Sequence, residues 1–349
     1  MNNILKIFLP ATITFITGLL LTPVATHYFY KYRMWRRASR NENVAQGEFQ
    51  KIHDDVAEVS TPRIGGTIVW VSVMLTVFVF GFTDLVFHNV ITEKLFFISR
   101  NQTLLPFFTL IVASLVGLGD DFIQIFGRGK WLTDPIILRY IKIAIIITLG
   151  CVIGWWFFVK LGISYVYVPW LGFVELGLVF IPFFILIMLG VFSSSIIDGI
   201  DGLSGGVMAS IFAGYIVIAL SQGQVDIATF CAVIAGGILA FLWFNIPPAR
   251  FYMGETGMIG LTVTLSVIAF LTNTVLLLPI IAFPLFITSL SGIIQMASKR
   301  LRNGKKVFLF APLHHHFEAL GWPKYKVTMR YWIVGVITAM IGVIISLIS

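Results

Sequence analysis

Sixteen Asp and Glu residues are scattered through 349 positions, and four short stretches draw several of them together with other polar groups at the ends of apolar runs. The first, GLGDD over 117–121, sets Asp120 beside Asp121. The second, DGIDG over 198–202, holds Asp198 and Asp201. In the third, Asn245 is followed by Tyr252 and by Glu255 within MGETG, and in the fourth His314, His315 and His316 precede Glu318. A charged side chain at the centre of an apolar span costs roughly 2.5 to 3.5 kcal/mol on insertion scales, so such acids need water, a cation or partners. A shared wet cavity would supply them. Clustered carboxylates suit Mg²⁺, a hard cation that takes oxygen ligands and bridges one or two carboxylates to substrate phosphates. A nucleotide diphosphate fits such a site, where the metal would neutralise the diphosphate and the charge that develops on the leaving phosphate.

Each stretch also has an ordinary structural role open to it. Asp120 and Asp121 can mark a helix end facing water, although two acids at a helix C-terminus oppose the macrodipole. Asp198 precedes a helix start and can serve as an N-cap, with the neighbouring glycines making the turn. The histidine triplet can be a solvated loop, a metal site, or a ligand set for phosphate and nucleotide. Asn245 and Gln295 close or occupy apolar runs, where a polar side chain can tie helices together. The weight of the four stretches lies in their falling on one face of a single topology.

That topology follows from composition. Hydrophobic residues make up 58% of the chain and charged residues 11%, far below the quarter of charged residues usual in soluble domains. The chain belongs in a bilayer and reads as one polytopic membrane domain over 1–349. Ten apolar segments are long enough to span, at about 20 residues each: 4–29, 64–88, 104–120, 135–158, 175–196, 202–221, 226–243, 256–273, 276–297 and 328–348. The fold expected is all-α, with both termini outside. The stretch 163–174, ISYVYVPWLGFV, is β-branched and aromatic with a Pro and a Gly near its middle, and predicts a short external hairpin.

Alternate loops divide the basic residues sharply. Twenty of the 24 Lys and Arg share one side, among them Arg63, Arg139, Lys142, Arg250 and the run from Lys299 to Arg330. The other side keeps Lys6, Lys94, Arg100 and Lys160. By the positive-inside rule the rich side is cytoplasmic, and all four polar stretches lie on it. The formal charge of +8 is thus first a topology signal; part of it can hold anionic headgroups or phosphates, and no nucleic-acid partner is expected. Cys151 and Cys231 both sit in apolar runs and make neither a disulfide framework nor a metal signature. A transporter or a lipid-binding scaffold also tolerates charges in wet cavities, but a transporter places its polar groups nearer the bilayer midplane.

The ordered motifs TPRIGG (61–66), GLGDDF (117–122), DGIDGLSGG (198–206), WFNIPPARFYMGETG (243–257) and APLHHHFEALGWP (311–323) resemble the polyprenyl-phosphate N-acetylhexosamine-1-phosphate transferase superfamily. The last, with Gln295 and the run Lys305-Lys306-Val307-Phe308, is similar to its phospho-N-acetylmuramoyl-pentapeptide transferase (MraY-type) branch. The resemblance implies ten transmembrane helices, a homodimer, and a Mg²⁺-dependent cleft on the cytoplasmic face of a bacterial inner membrane. It implies transfer of phospho-MurNAc-pentapeptide from UDP-MurNAc-pentapeptide to undecaprenyl phosphate, giving lipid I and UMP. Asp120 would ready the lipid phosphate, Asp121 would support metal or phosphate binding, and Glu255 would be a metal ligand. Thr61, Asp198, Asp201, Asn245, Tyr252, Gln295, His314, His315 and His316 would line the nucleotide-sugar site. The chain departs from the family pattern at Glu255, where Asp is usual, at Ser195 for Asn, at Met258 for Ser and at Phe122 for Tyr. Around Thr61 it is closer to the sister branch that transfers GlcNAc-1-phosphate, which is the alternative reading.

Overall fold

The computed structural model describes residues 3–35, 60–98, 103–127 and 135–349. They form a helical bundle whose long aliphatic runs leave the backbone no economical choice in lipid but to satisfy its own hydrogen bonds. The helices are α1 (Asn3–Lys31), α2 (Gly66–Phe87), the short α3 (Val90–Leu95), α4 (Leu104–Phe126), α5 (Pro135–Lys160), α6 (Phe180–Ser193), α7 (Leu203–Ser221), α8 (Val225–Asn245) and α9 (Gly254–Leu271). After these come α10 (Leu278–Ile281), α11 (Phe283–Leu301), α12 (Leu313–Ala319) and α13 (Lys324–Ile348). Between α5 and α6 lies the expected hairpin, β1 (Tyr165–Val168) paired antiparallel with β2 (Gly172–Glu175), Tyr165 facing Glu175 and Val168 facing Gly172. Trp170 and Gly172 turn it with positive φ, and Phe173 packs against both Tyr165 and Tyr167.

Among the described residues nine helices are long and apolar enough to cross a membrane, and a tenth crossing exists if a bent pair counts as one. The expected span over 276–297 is that pair: residues 275–281 and 283–301 meet at 86°. Hydropathy averages over such a break. The chain nevertheless traverses the bundle there. Gln222 and Gln224, which begin the connection from α7 to α8, donate through Nε2 to the carbonyls of Thr272 and Leu271, so the end of α9 lies at that end of the bundle. Beyond the bend, Ser291 Oγ accepts from Leu313 N, and His314 packs on Gly199 at the opposite end. Lys6 pairs with Asp226 and Thr328 bonds the Asp201 carbonyl, so α1 starts, and α13 finishes, at the same end of the bundle.

At the centre stands α9, buried along nearly its whole length. Two of its hydroxyls turn back on their own helix, Thr262 donating to Met258 O at 2.7 Å and Ser266 to Thr262 O at 3.2 Å, which satisfies those two buried groups. The outer helices are the reverse. They expose Leu20, Phe82, Tyr140, Ile333 and many other large apolar side chains, a surface that suits lipid and that water would not tolerate at such extent. Helix α4 runs on to Phe126, so Asp120 and Asp121 lie within its last two turns and do not close it as the 104–120 span implied.

Candidate active site

All four polar stretches meet at one end of the bundle, around the N-terminus of α9. Gly254 opens that helix with φ +70°, and a Cβ there would lie 1.7 Å from the Arg63 carbonyl, so only glycine lets the 61–66 strap lie across the helix start. The strap is pinned by backbone bonds: Tyr252 N donates to Pro62 O, Gly65 N to Tyr252 O and Gly66 N to Met253 O.

The exposed amides of a helix N-terminus want acceptors, and two of the expected site acids provide them. Asp198 Oδ2 accepts from Gly254 N at 3.0 Å, while Asp121 accepts from Glu255 N through Oδ1 at 3.2 Å and from Thr256 N through Oδ2 at 2.8 Å. Asp198 does not cap the helix that follows it: α7 begins after Gly202 without a side-chain cap, and Asp198 Oδ1 instead accepts from Ser204 Oγ at 2.7 Å. Burial raises the Asp198 carboxyl above its ordinary range, opposed by the Ser204 hydrogen bond and the charge of Arg63.

Asp120 stands apart from these anchors. Its Oδ2 accepts from Gln124 Nε2 at 2.5 Å and from Lys142 Nζ at 3.1 Å. The same Nζ donates to Glu255 Oε1 at 3.1 Å. One ammonium, from α5, therefore sits between a carboxylate of α4 and one of α9. Reading the loops for topology alone hid Lys142 among the cytoplasmic charges. The signal was present, because Lys142 lies inside the apolar run of its own span, and a lysine in such a place requires an acidic partner.

The remaining expected residues hold the loops that wall this end. Asn245, 2% exposed, accepts from Gly202 N through Oδ1 and donates through Nδ2 to Phe251 O at 2.7 Å. Asp201 Oδ2 accepts from Ala249 N at 3.1 Å. Tyr252 bonds the Thr61 side chain, and burial together with the Asp201 and Asp198 charges pushes its phenol up to about 12. Gln295 accepts from Val307 N and Phe308 N and donates to Phe308 O. In the triplet, His315 Nδ1 and Glu318 Oε2 lie 2.6 Å apart, and His316 Nδ1 accepts from Leu309 N. His314 is fully buried. A Cβ on Gly199 would meet His314 Nε2 at 2.7 Å and His315 Nε2 at 3.1 Å, which brings the triplet directly onto the DGIDG loop.

The donor set around Lys142 fits a hard cation: two carboxylates from different helices already converge on one positive centre, and Mg²⁺ in phosphate-binding sites commonly takes one or two carboxylates and completes its shell with phosphates and water. Among the described residues no group of three or more His, Cys, Asp and Glu is arranged to enclose a metal by itself. Asp121, expected as a metal ligand, is 1% exposed and has both oxygens on backbone amides, so its geometry is that of an anchor for α9. The open pair is Asp120 and Glu255.

Residues 103–273 match the family model described as glycosyl transferase family 4. Over 336 residues the chain is 32% identical to a phospho-N-acetylmuramoyl-pentapeptide-transferase of Geobacillus sp. (strain WCH70), covering 95% of this chain and 96% of that protein. A protein of the same name from Anoxybacillus flavithermus is 31% identical over 344 residues, covering 97% and 98%, and one from Chloroflexus aurantiacus is 31% identical over 307 residues, covering 84% and 79%.

Proposed function

Because the chain belongs to the phospho-N-acetylmuramoyl-pentapeptide-transferase family, we infer that it transfers phospho-MurNAc-pentapeptide from UDP-MurNAc-pentapeptide to undecaprenyl phosphate, forming lipid I and UMP in peptidoglycan synthesis. The observation that carries the reading to particular atoms is the convergence of Asp120, Glu255 and Lys142 at the end of the bundle where the other expected residues lie.

Asp120 is the base in this reading. Its carboxylate takes the proton of the lipid phosphate so that a phosphate oxygen attacks the β-phosphorus of the nucleotide sugar and the bond to the UMP oxygen breaks. Gln124 fixes the rotamer of that carboxylate, which matters because a misplaced base loses rate steeply. Glu255, with Asp120, would hold Mg²⁺, which supplies charge neutralisation on the diphosphate and the departing UMP. Asp121 and Asp198 set the start of α9, and hence the Glu255 backbone. Thr61, Asp201, Asn245, Tyr252, Gln295 and His314–His316 shape the walls that receive the nucleotide sugar. Arg63, Arg139, Arg250, Lys305 and Lys306 belong to the basic set, and by the positive-inside rule that face is cytoplasmic, with both termini outside. Assembly as a homodimer belongs to the same reading and is tested by the mass of the detergent-solubilised particle.

The deciding experiment measures UMP release and lipid product from purified protein given undecaprenyl phosphate, Mg²⁺ and either UDP-MurNAc-pentapeptide or UDP-GlcNAc. Release with the muramoyl donor alone supports the assignment. Release with UDP-GlcNAc alone moves the chain to the sister activity, and release with neither overturns both.

A further inference from the structure

Resting on the transferase reading, we propose that Lys142 is a positioning residue that competes with a divalent cation for the place between Asp120 and Glu255. The ammonium lies 3.1 Å from an oxygen of each carboxylate. Among the described residues, unlike Asp121 and Asp198, neither carboxylate is tied to a backbone amide; their partners there are side chains alone. The lysine and glutamate side chains are 20% and 24% exposed, whereas the Asp120 side chain is 5% exposed, so the bridge closes the open side of a buried acid. Glu255 has the reach for this because it carries one methylene more than the Asp of the family pattern.

Two cations cannot share this point. With Lys142 in place the three groups sum to one negative charge, too little to draw in a divalent ion against the ammonium. A nucleotide diphosphate changes the balance by bringing further negative charge, and the flexible four-carbon stem of a lysine lets its ammonium swing to the phosphates. Lys142 thus keeps the acids paired in the resting protein, discourages metal from binding alone, and couples metal entry to substrate. Removing the lysine leaves two carboxylates facing each other without a counter-charge, which destabilises the protein unless another cation takes the place.

The test is Mn²⁺ titration followed by electron paramagnetic resonance on full-length, detergent-solubilised protein without nucleotide, alongside melting curves in EDTA and in Mg²⁺. Lys142→Met should bind Mn²⁺ about tenfold or more tightly than the wild type, given the coupling energies measured for close charge pairs. It should melt lower than the wild type in EDTA and recover in Mg²⁺, while the wild type is indifferent to both. Lys142→Arg, which keeps the charge, should bind Mn²⁺ as weakly as the wild type, and Glu255→Gln added to Lys142→Met should abolish the gain. Equal Mn²⁺ affinity in wild type and Lys142→Met, no binding in either, tightened binding in Lys142→Arg, or a gain that survives loss of Glu255 would each overturn the proposal. UMP release by the same wild-type preparation judges the transferase reading separately, since the Mn²⁺ comparison does not depend on turnover.

Discussion

The two ends of α9 solve the same problem with opposite chemistry. At its start the free amides of Gly254, Glu255 and Thr256 are taken by two carboxylates, from Asp198 and Asp121. At its end the carbonyls of Leu271 and Thr272 are taken by neutral amides, from Gln224 and Gln222. Both arrangements fasten the central helix to its neighbours. Among the described residues the first also gathers an ammonium and two further carboxylates, where the second has beside it the single pair of Lys6 and Asp226. Carboxylates suit the positive start of a helix and neutral amides its negative end, so the anchors follow the helix dipole, and the charge left over for chemistry is that of Asp120, Glu255 and Lys142.

Substitutions at the two ends should therefore separate activity from stability. The largest effect is expected for Asp120→Asn, which keeps the shape and removes the base: UMP release should fall by about 10² to 10⁴, the usual worth of a general base, with an unchanged melting temperature. Retained turnover would break the comparison. Glu255→Gln should lower turnover by about 10², in line with loss of an electrostatic stabiliser, and a steeper Mg²⁺ requirement in the assay would sharpen the assignment. Asp121→Ala should act on the fold, costing about 1 to 3 kcal/mol through two orphaned amides, seen as a lower melting temperature in detergent. At the other end Gln224→Ala should cost about 1 kcal/mol and leave kinetics untouched.

The smallest effect is a slope with pH. Burial raises the Asp198 carboxyl in the folded protein, so the native state holds that proton more firmly than the unfolded chain does. Stability from this group is greatest below the ordinary carboxylate range and falls as pH rises from there through the raised folded value. Melting temperatures of Asp198→Asn across that window should lack this fall, and an identical profile in both proteins would count against the burial argument.

Much of this was legible in the residues. Acids and histidines at the ends of apolar runs marked the site because lipid makes such placements expensive, and the β-branched, aromatic 163–174 stretch marked the hairpin. What the pattern hid was partnership. Asp121 and Asp198 cap a helix that lies more than fifty residues further along the chain and Lys142 meets a glutamate 113 residues away, pairings that only packing creates. The break between α10 and α11 was hidden for a different reason: a span reads as apolar whether or not it is straight, and the bend lies between residues as apolar as the rest.

The burial of α9 bears on how the protein is made. Most of the helices that enclose it precede it in the chain, and α11 and α13 alone of the long ones follow. On leaving the ribosome α9 meets a half-built sleeve already in the membrane, and its glycines and inward hydroxyls need never face acyl chains for long. Its insertion is then an act of docking, in which earlier helices serve as the solvent, and a fault in α4 or α6, which pack against it, would strand the helix that carries Glu255 before translation has ended.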